Sequence, residues 1–313
     1  MVKVFRAVLL AILLNIAVAQ ADQKQIVYLV SSRPLGSFYS HPLSAQLATQ
    51  THNDVYAMYI TLGYGDGGTS SEQLMHSVSE DIQRVDPSIV IIDEVDAAGY
   101  LQTLLPEKYR TKSYFISRST TAGLPRSSLF RVQNLGLRIT DLMTEMNLFP
   151  ETYYILYDSS GLTARDSYNL RKTLQGITGS VKAIEVTSAQ QLDDILLELN
   201  KNQRGVIINN MMTLIDDEFG SYVGAAEIKE IIRRRNKKHL TVGFSFLPDT
   251  KNECVIFQTD YYPIVREFFH KGQNPDDMWP LPFKLYVDKG AMRSLGYKNN
   301  YIAAHETIDV IVE

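Results

Sequence analysis

Residues 86–100 read D-P-S-I-V-I-I-D-E-V-D-A-A-G-Y. Ile89, Val90, Ile91 and Ile92 form an unbroken β-branched run, too short for a stable helix and apolar on both sides of its pleat. Such a run belongs inside a sheet that is covered on both faces. Pro87 marks the turn before it; Asp93, Glu94 and Asp96 form a polar turn after it, and a helical pattern begins at Ala97. Buried strand, polar turn and helix are half of a βαβ unit. Open parallel sheets built from such units collect ligands at the carboxyl ends of their strands.

The unit recurs on either side of this stretch. Strands are predicted over 26–30, 55–61 and 112–117, with helices over 42–51 and 71–85. Residues 122–134, with Gly123, Pro125 and a short strand-like 129–132, break the pattern and suggest a crossing between domains. A second series follows. Its strands are predicted over 153–157, 181–186, 205–208, 240–244 and 255–258, and its helices over 135–147, 162–174, 188–200, 222–236 and 262–270. The expectation is an α/β protein of two Rossmann-like lobes, each with a parallel sheet, which suits 313 residues.

Residues 1–21 stand apart. Lys3 and Arg6 precede an apolar run from Ala7 to Val18, and Ala19-Gln20-Ala21 fits the small-x-small rule for cleavage. The run is shorter than the ~20 residues a spanning helix needs. The reading is a signal peptide cut after Ala21, giving a periplasmic protein that starts at Asp22. Cutting there leaves 29 basic residues against 35 acidic ones, a balance of −6. Such a charge disfavours nucleic acid as a partner. Cys254 is the single cysteine, so no intrachain disulfide forms and the core must hold the fold. None lies at the cleavage site to carry a lipid.

Gly63-Tyr64-Gly65-Asp66-Gly67-Gly68 matches the dinucleotide pattern G-x-G-x-x-G. It follows the second predicted strand and not the first, and reads as a flexible βα loop. The histidines, at 41, 52, 76, 239, 270 and 305, have no metal-ligand spacing. Asp93, Glu94 and Asp96 are a strand-end turn more than a hydrolytic pair. The expectation is therefore no cofactor, no metal and no catalysis.

Residues 269–297 carry a family resemblance. Lys271-Gly272, Pro275 and Pro280 stand after a helix, followed by an extended segment and a last helix with Ala291 and Leu295-Gly296. This order resembles the tail of the substrate-binding proteins of ABC transporters typified by tryptophan- and tyrosine-binding members. Leu156-Tyr157-Asp158-Ser159-Ser160 stands where that family has a strand ending in a ligand-touching turn. Val287-Asp288-Lys289 replaces the family's Ile-Asn-Leu, and Arg118-Ser119-Thr120-Thr121 replaces its Asp-Pro turn, so the ligand need not be an aromatic amino acid.

The resemblance implies a type I periplasmic binding protein fold, with two lobes joined by three crossings. Lobe 1 would be 22–131 plus 251–280 and lobe 2 132–250 plus 281–313. A small polar or zwitterionic, amino-acid-like solute would be held between them. The turns offering directional contacts are Ser31, Ser32, Arg33, Asp93, Glu94, Arg118 and Ser119 in lobe 1. Lobe 2 offers Asp158, Ser159, Ser160, Asn209, Asn210 and Phe246. An arginine fork suits a ligand carboxylate and an aspartate suits an ammonium group. The same serines and aspartates are also the residues that cap helices. The expected partner of a monomer of this kind is an ABC permease, or alternatively a membrane-bound sensor kinase or cyclase.

Overall fold

The computed structural model describes residues 25–31, 42–50, 53–59, 71–93, 98–117, 129–159, 161–177, 180–218, 220–244, 253–270, 279–297 and 310–312. The first sheet is built from β1 (Ile26–Ser31), β2 (Asp54–Tyr59), β3 (Ile89–Asp93), β4 (Ser113–Ser117), β5 (Leu129–Val132) and β13 (Trp279–Leu281). Their order is β13-β5-β4-β3-β1-β2, and every pair is parallel. The Ile89 run lies inside this sheet. Val90 and Ile92 meet Met75, Val78 and Leu101 on one face, and Ile91 joins Leu29, Leu43 and Leu47 on the other. A strand apolar on both sides is stable only with both faces covered, and these helices cover them.

The second sheet contains β6 (Tyr153–Tyr157), β7 (Val181–Glu185), β8 (Val206–Asn210), β11 (Leu240–Phe244), β12 (Val255–Thr259), β14 (Phe283–Asp288) and β15 (Val310–Val312). Its order is β15-β14-β12-β11-β8-β6-β7; only the β12–β14 pair is antiparallel. The helices of this half are α5 (Leu135–Glu145), α6 (Gly161–Gln175), α7 (Ala189–Leu199), α8 (Ala225–Arg235) and α9 (Lys289–Ser294). Those of the first half are α1 (Pro42–Gln50), α2 (Ser71–Val85), α3 (Ala98–Leu104) and α4 (Glu107–Arg110). Ser188 caps α7 as its position suggests, accepting from the Gln191 N–H at 3.2 Å.

Two expectations change. The helix predicted from residue 222 begins at Ala225, because β10 (Tyr222–Gly224) pairs with β9 (Thr213–Ile215) as a short antiparallel hairpin. Residues 251–280 were expected with the first sheet, yet β12 pairs with β11 and β14 in the second. The crossing back therefore follows Thr259. Its apolar run Val255-Ile256-Phe257 is buried in the second sheet, so it stays there.

The chain passes between the sheets after β5, after β12 and between β13 and β14. The three passages lie side by side. The Gln133 N–H donates to the Leu281 carbonyl at 3.0 Å, and the Asp260 N–H donates to the Pro282 carbonyl at 2.8 Å. One apolar cluster runs through them, including Phe130, Val132, Phe257, Tyr261, Leu281 and Phe283. The Phe257 and Phe283 rings meet edge to face at 5.8 Å.

Candidate functional site

At the carboxyl edge of the first sheet, Ser31 ends β1 and Asp93 ends β3. The two are register partners. Ser31 Oγ donates to Asp93 Oδ2 at 3.3 Å, and both residues are fully buried. A carboxylate out of water is tolerated only where dipoles meet it, and the adjacent strand ends supply one. These are the two first-lobe candidates that the structure describes. Ser32, Arg33, Glu94, Arg118 and Ser119 lie outside the described residues, as does the glycine-rich 63–68 stretch.

At the carboxyl edge of the second sheet the candidates do different work. Asp158 ends the β6 turn and is buried. Its Oδ1 accepts from Thr163 Oγ1 at 2.6 Å and its Oδ2 from the Met212 N–H at 2.7 Å. Both oxygens thus tie the start of α6 to the turn after β8. Asn209 and Asn210 are neighbours on β8, and strand alternation sends their side chains to opposite faces. Asn210 Nδ2 donates to Ser167 Oγ at 2.8 Å and to the Thr163 carbonyl at 3.1 Å, on the α6 side. Asn209 Nδ2 donates to Glu253 Oε1 at 2.9 Å, on the α8 side. Ser159 is exposed, while Ser160 and Phe246 lie outside the described residues.

Sequence reasoning missed the group that Asn209 joins. Lys229 of α8 pairs with Glu253 at 3.1 Å, both side chains buried. Gly243, the register partner of Asn209, makes room for them, because a Cβ there would overlap the Glu253 carboxylate. The signal in the sequence was faint: a lysine on the apolar side of a helix, and a glycine inside a strand.

The first passage meets the second sheet's exits at a small cavity of about 70 Å³. Gln133, Asn134 and Gly136 form one side; Asp166, Asn210 and Phe244 form the other. Asn134 caps α5, its Oδ1 accepting from the Leu137 N–H at 3.2 Å. Strand exits from the second sheet, a helix start and a crossing segment thus converge on one polar corner.

Two α/β lobes with predominantly parallel sheets, linked by three adjacent passages, define the type I periplasmic binding protein fold, and this chain has it. Solved structures of that kind superpose over most of it. The ABC domain in complex with L-Trp from Streptococcus pneumonia matches with a TM-score of 0.57 and 12% identity, covering 93% of this chain and 100% of its own. A LacI transcriptional regulator from Lactobacillus brevis matches with a TM-score of 0.57 and 10% identity, covering 83% and 99%. The ligand-free, open form of CD0873, a substrate-binding protein with adhesive properties from Clostridium difficile, gives 0.51 and 10%, covering 92% and 99%. No protein-family model and no curated protein matches the sequence. At these identities the likeness is one of fold.

Proposed function

We propose that the chain is an exported solute-binding protein that closes its two lobes on a small polar or zwitterionic molecule and presents it to an ABC permease. The observation that carries this reading is the set of three passages bound side by side by the Gln133–Leu281 and Asp260–Pro282 hydrogen bonds. Adjacent segments between two sheets suit a hinge, since a few residues absorb the change in backbone angles. Ser31 and Asp93 at one sheet edge, and the exits of β6, β8 and β11 at the other, would then face the solute. Arg33 or Arg118 would pair with its carboxylate. The binding role and the lack of catalysis draw support from the similar proteins described as L-Trp-bound or substrate-binding. The lobes would be 22–132 with 260–281, and 133–259 with 282–313.

Native mass spectrometry of the freshly purified mature protein tests for a retained solute, and small-angle scattering tests for closure. A solute that binds both lobes favours the closed state by its differential affinity. The expected result is a smaller radius of gyration with the solute than without it. A solute that binds with no change in scattering, together with Asp93→Asn and Arg118→Ala variants that bind it unaltered, would overturn the reading.

A further inference from the structure

A hollow of about 270 Å³ lies at the amino-terminal ends of the second sheet's strands, opposite the strand exits. Val206 and Leu240, the first residues of β8 and β11, form its floor and are almost fully buried. Met143 near the end of α5, Leu148 and Phe149 form one wall, and Tyr297 the other. The floor's backbone N–H groups are already used. The Val206 N–H donates to the Thr152 carbonyl at 3.0 Å, the Leu240 N–H to the Gly205 carbonyl at 3.1 Å, and the Gly205 N–H to His239 Nδ1 at 3.1 Å. An occupant therefore meets the Val206 and Leu240 hydrocarbon below and finds no free N–H of Gly205, Val206 or Leu240.

Among the described residues that line it, the rim carries one charge. Arg204 Nη2 donates to the Leu295 carbonyl at 2.9 Å, and the guanidinium lies over the Tyr297 ring at 5.2 Å. Gly296, at φ 78°, leaves room for it: a Cβ there would come within 2.8 Å of Arg204 Nη2. The side chain is thus held in place by two contacts that consume one of its donors, and it has no carboxylate partner among the described residues. A fixed guanidinium with donors to spare, above an apolar floor, matches one ligand chemistry.

We propose that this hollow is a second binding site, for a small monocarboxylic acid with an apolar body. Its hydrocarbon rests on Val206 and Leu240 and its carboxylate meets Arg204. The site is independent of any solute in the cleft, because it opens at the other end of the same strands.

Octanoate is a suitable probe and octanamide, its uncharged counterpart, the control, read by the methyl signals of Met143 and Leu148 in the mature protein. Octanoate is expected to shift those signals saturably, and octanamide to bind roughly tenfold more weakly, as loss of a charge-assisted pair implies. Arg204→Gln should weaken octanoate by a similar factor and leave octanamide unchanged; Arg204→Lys should fall between. Unaltered thermal melts of both variants keep the comparison valid, and Leu148→Trp, which narrows the hollow without touching the charge, should weaken both probes. Equal binding of octanoate and octanamide, no shift at millimolar octanoate, or shifts confined to the strand exits would each overturn the proposal.

Discussion

The Glu253 carboxylate fills the space that a side chain on Gly243 would need. The carboxylate cannot give way easily, since Lys229 and Asn209 hold its two oxygens. Gly243→Ala should therefore cost about 3 kcal/mol, at the upper end for overpacking. Glu253→Gln should cost a similar 3–5 kcal/mol, roughly the penalty of stranding a buried lysine charge. Urea unfolding measures both. A loss under about 1 kcal/mol for either would mean that the pair relaxes freely.

His239 predicts a pH dependence. Its Nδ1 accepts from the Gly205 N–H and its Nε2, the protonated nitrogen in this arrangement, faces the Leu199 carbonyl at 2.9 Å. Burial pushes its pKa below the usual imidazole value. The native state thus holds His239 neutral, whereas the unfolded chain takes up a proton near pH 6.5. Its contribution is complete above that pH and falls as the pH drops, by up to about 1.4 kcal/mol per unit, until the lower native pKa is reached. Unfolding free energies at pH 7.5 and 5.5 should differ less in His239→Gln than in the parent. An equal difference would assign the acid sensitivity to carboxylates.

Asp158 and Ser31 should differ in how far each serves stability and how far the proposed solute binding. Asp158→Ala leaves the Met212 N–H without its acceptor, while the Thr163 hydroxyl keeps the Asp158 carbonyl at 2.9 Å, at a cost of roughly 1–3 kcal/mol in the empty protein. Ser31→Ala removes one buried hydroxyl and should cost about 1 kcal/mol of stability while weakening solute binding more. Thermal melts with and without solute check the contrast. Equal effects on stability and binding in both variants would remove the distinction.

Asn134 caps the helix that starts at the first passage. Asn134→Ala should cost about 1 kcal/mol of stability. Since the cap also lines the corner where passage and strand exits meet, hydrogen exchange should rise in the first turn of α5 and not at its far end. Uniform exchange along the helix would show that the cap does not act locally.

Much of the fold was legible because short apolar runs and strand-end turns are local signals. Ile89–Asp93 and Tyr153–Tyr157 both stand where their β-branched and aromatic content suggests. Sheet membership was harder. Val255–Thr259 looks like any buried strand, and only its pairing with Leu240–Phe244 says which sheet owns it. The strand-end turns were legible as positions, and the bonds they make were not. Asp158, Asn209 and Asn210 do lie at strand ends, but the Asp158 carboxylate and both amide nitrogens bond to the protein. Their partners Thr163, Glu253 and Ser167 are distant in sequence or carry no motif, so spacing alone does not reveal them.

The edge strand Trp279–Leu281 has a consequence for how the molecule is assembled. It pairs with Phe130–Val132 across more than the whole of the second sheet's first five strands. A chain emerging from the ribosome makes the first half early, yet that half keeps one unsatisfied ladder of backbone groups until nearly the last residues appear. The first half thus waits on the second for its final strand, and during that interval the open edge along Leu129–Val132 is where a neighbouring nascent chain would add itself.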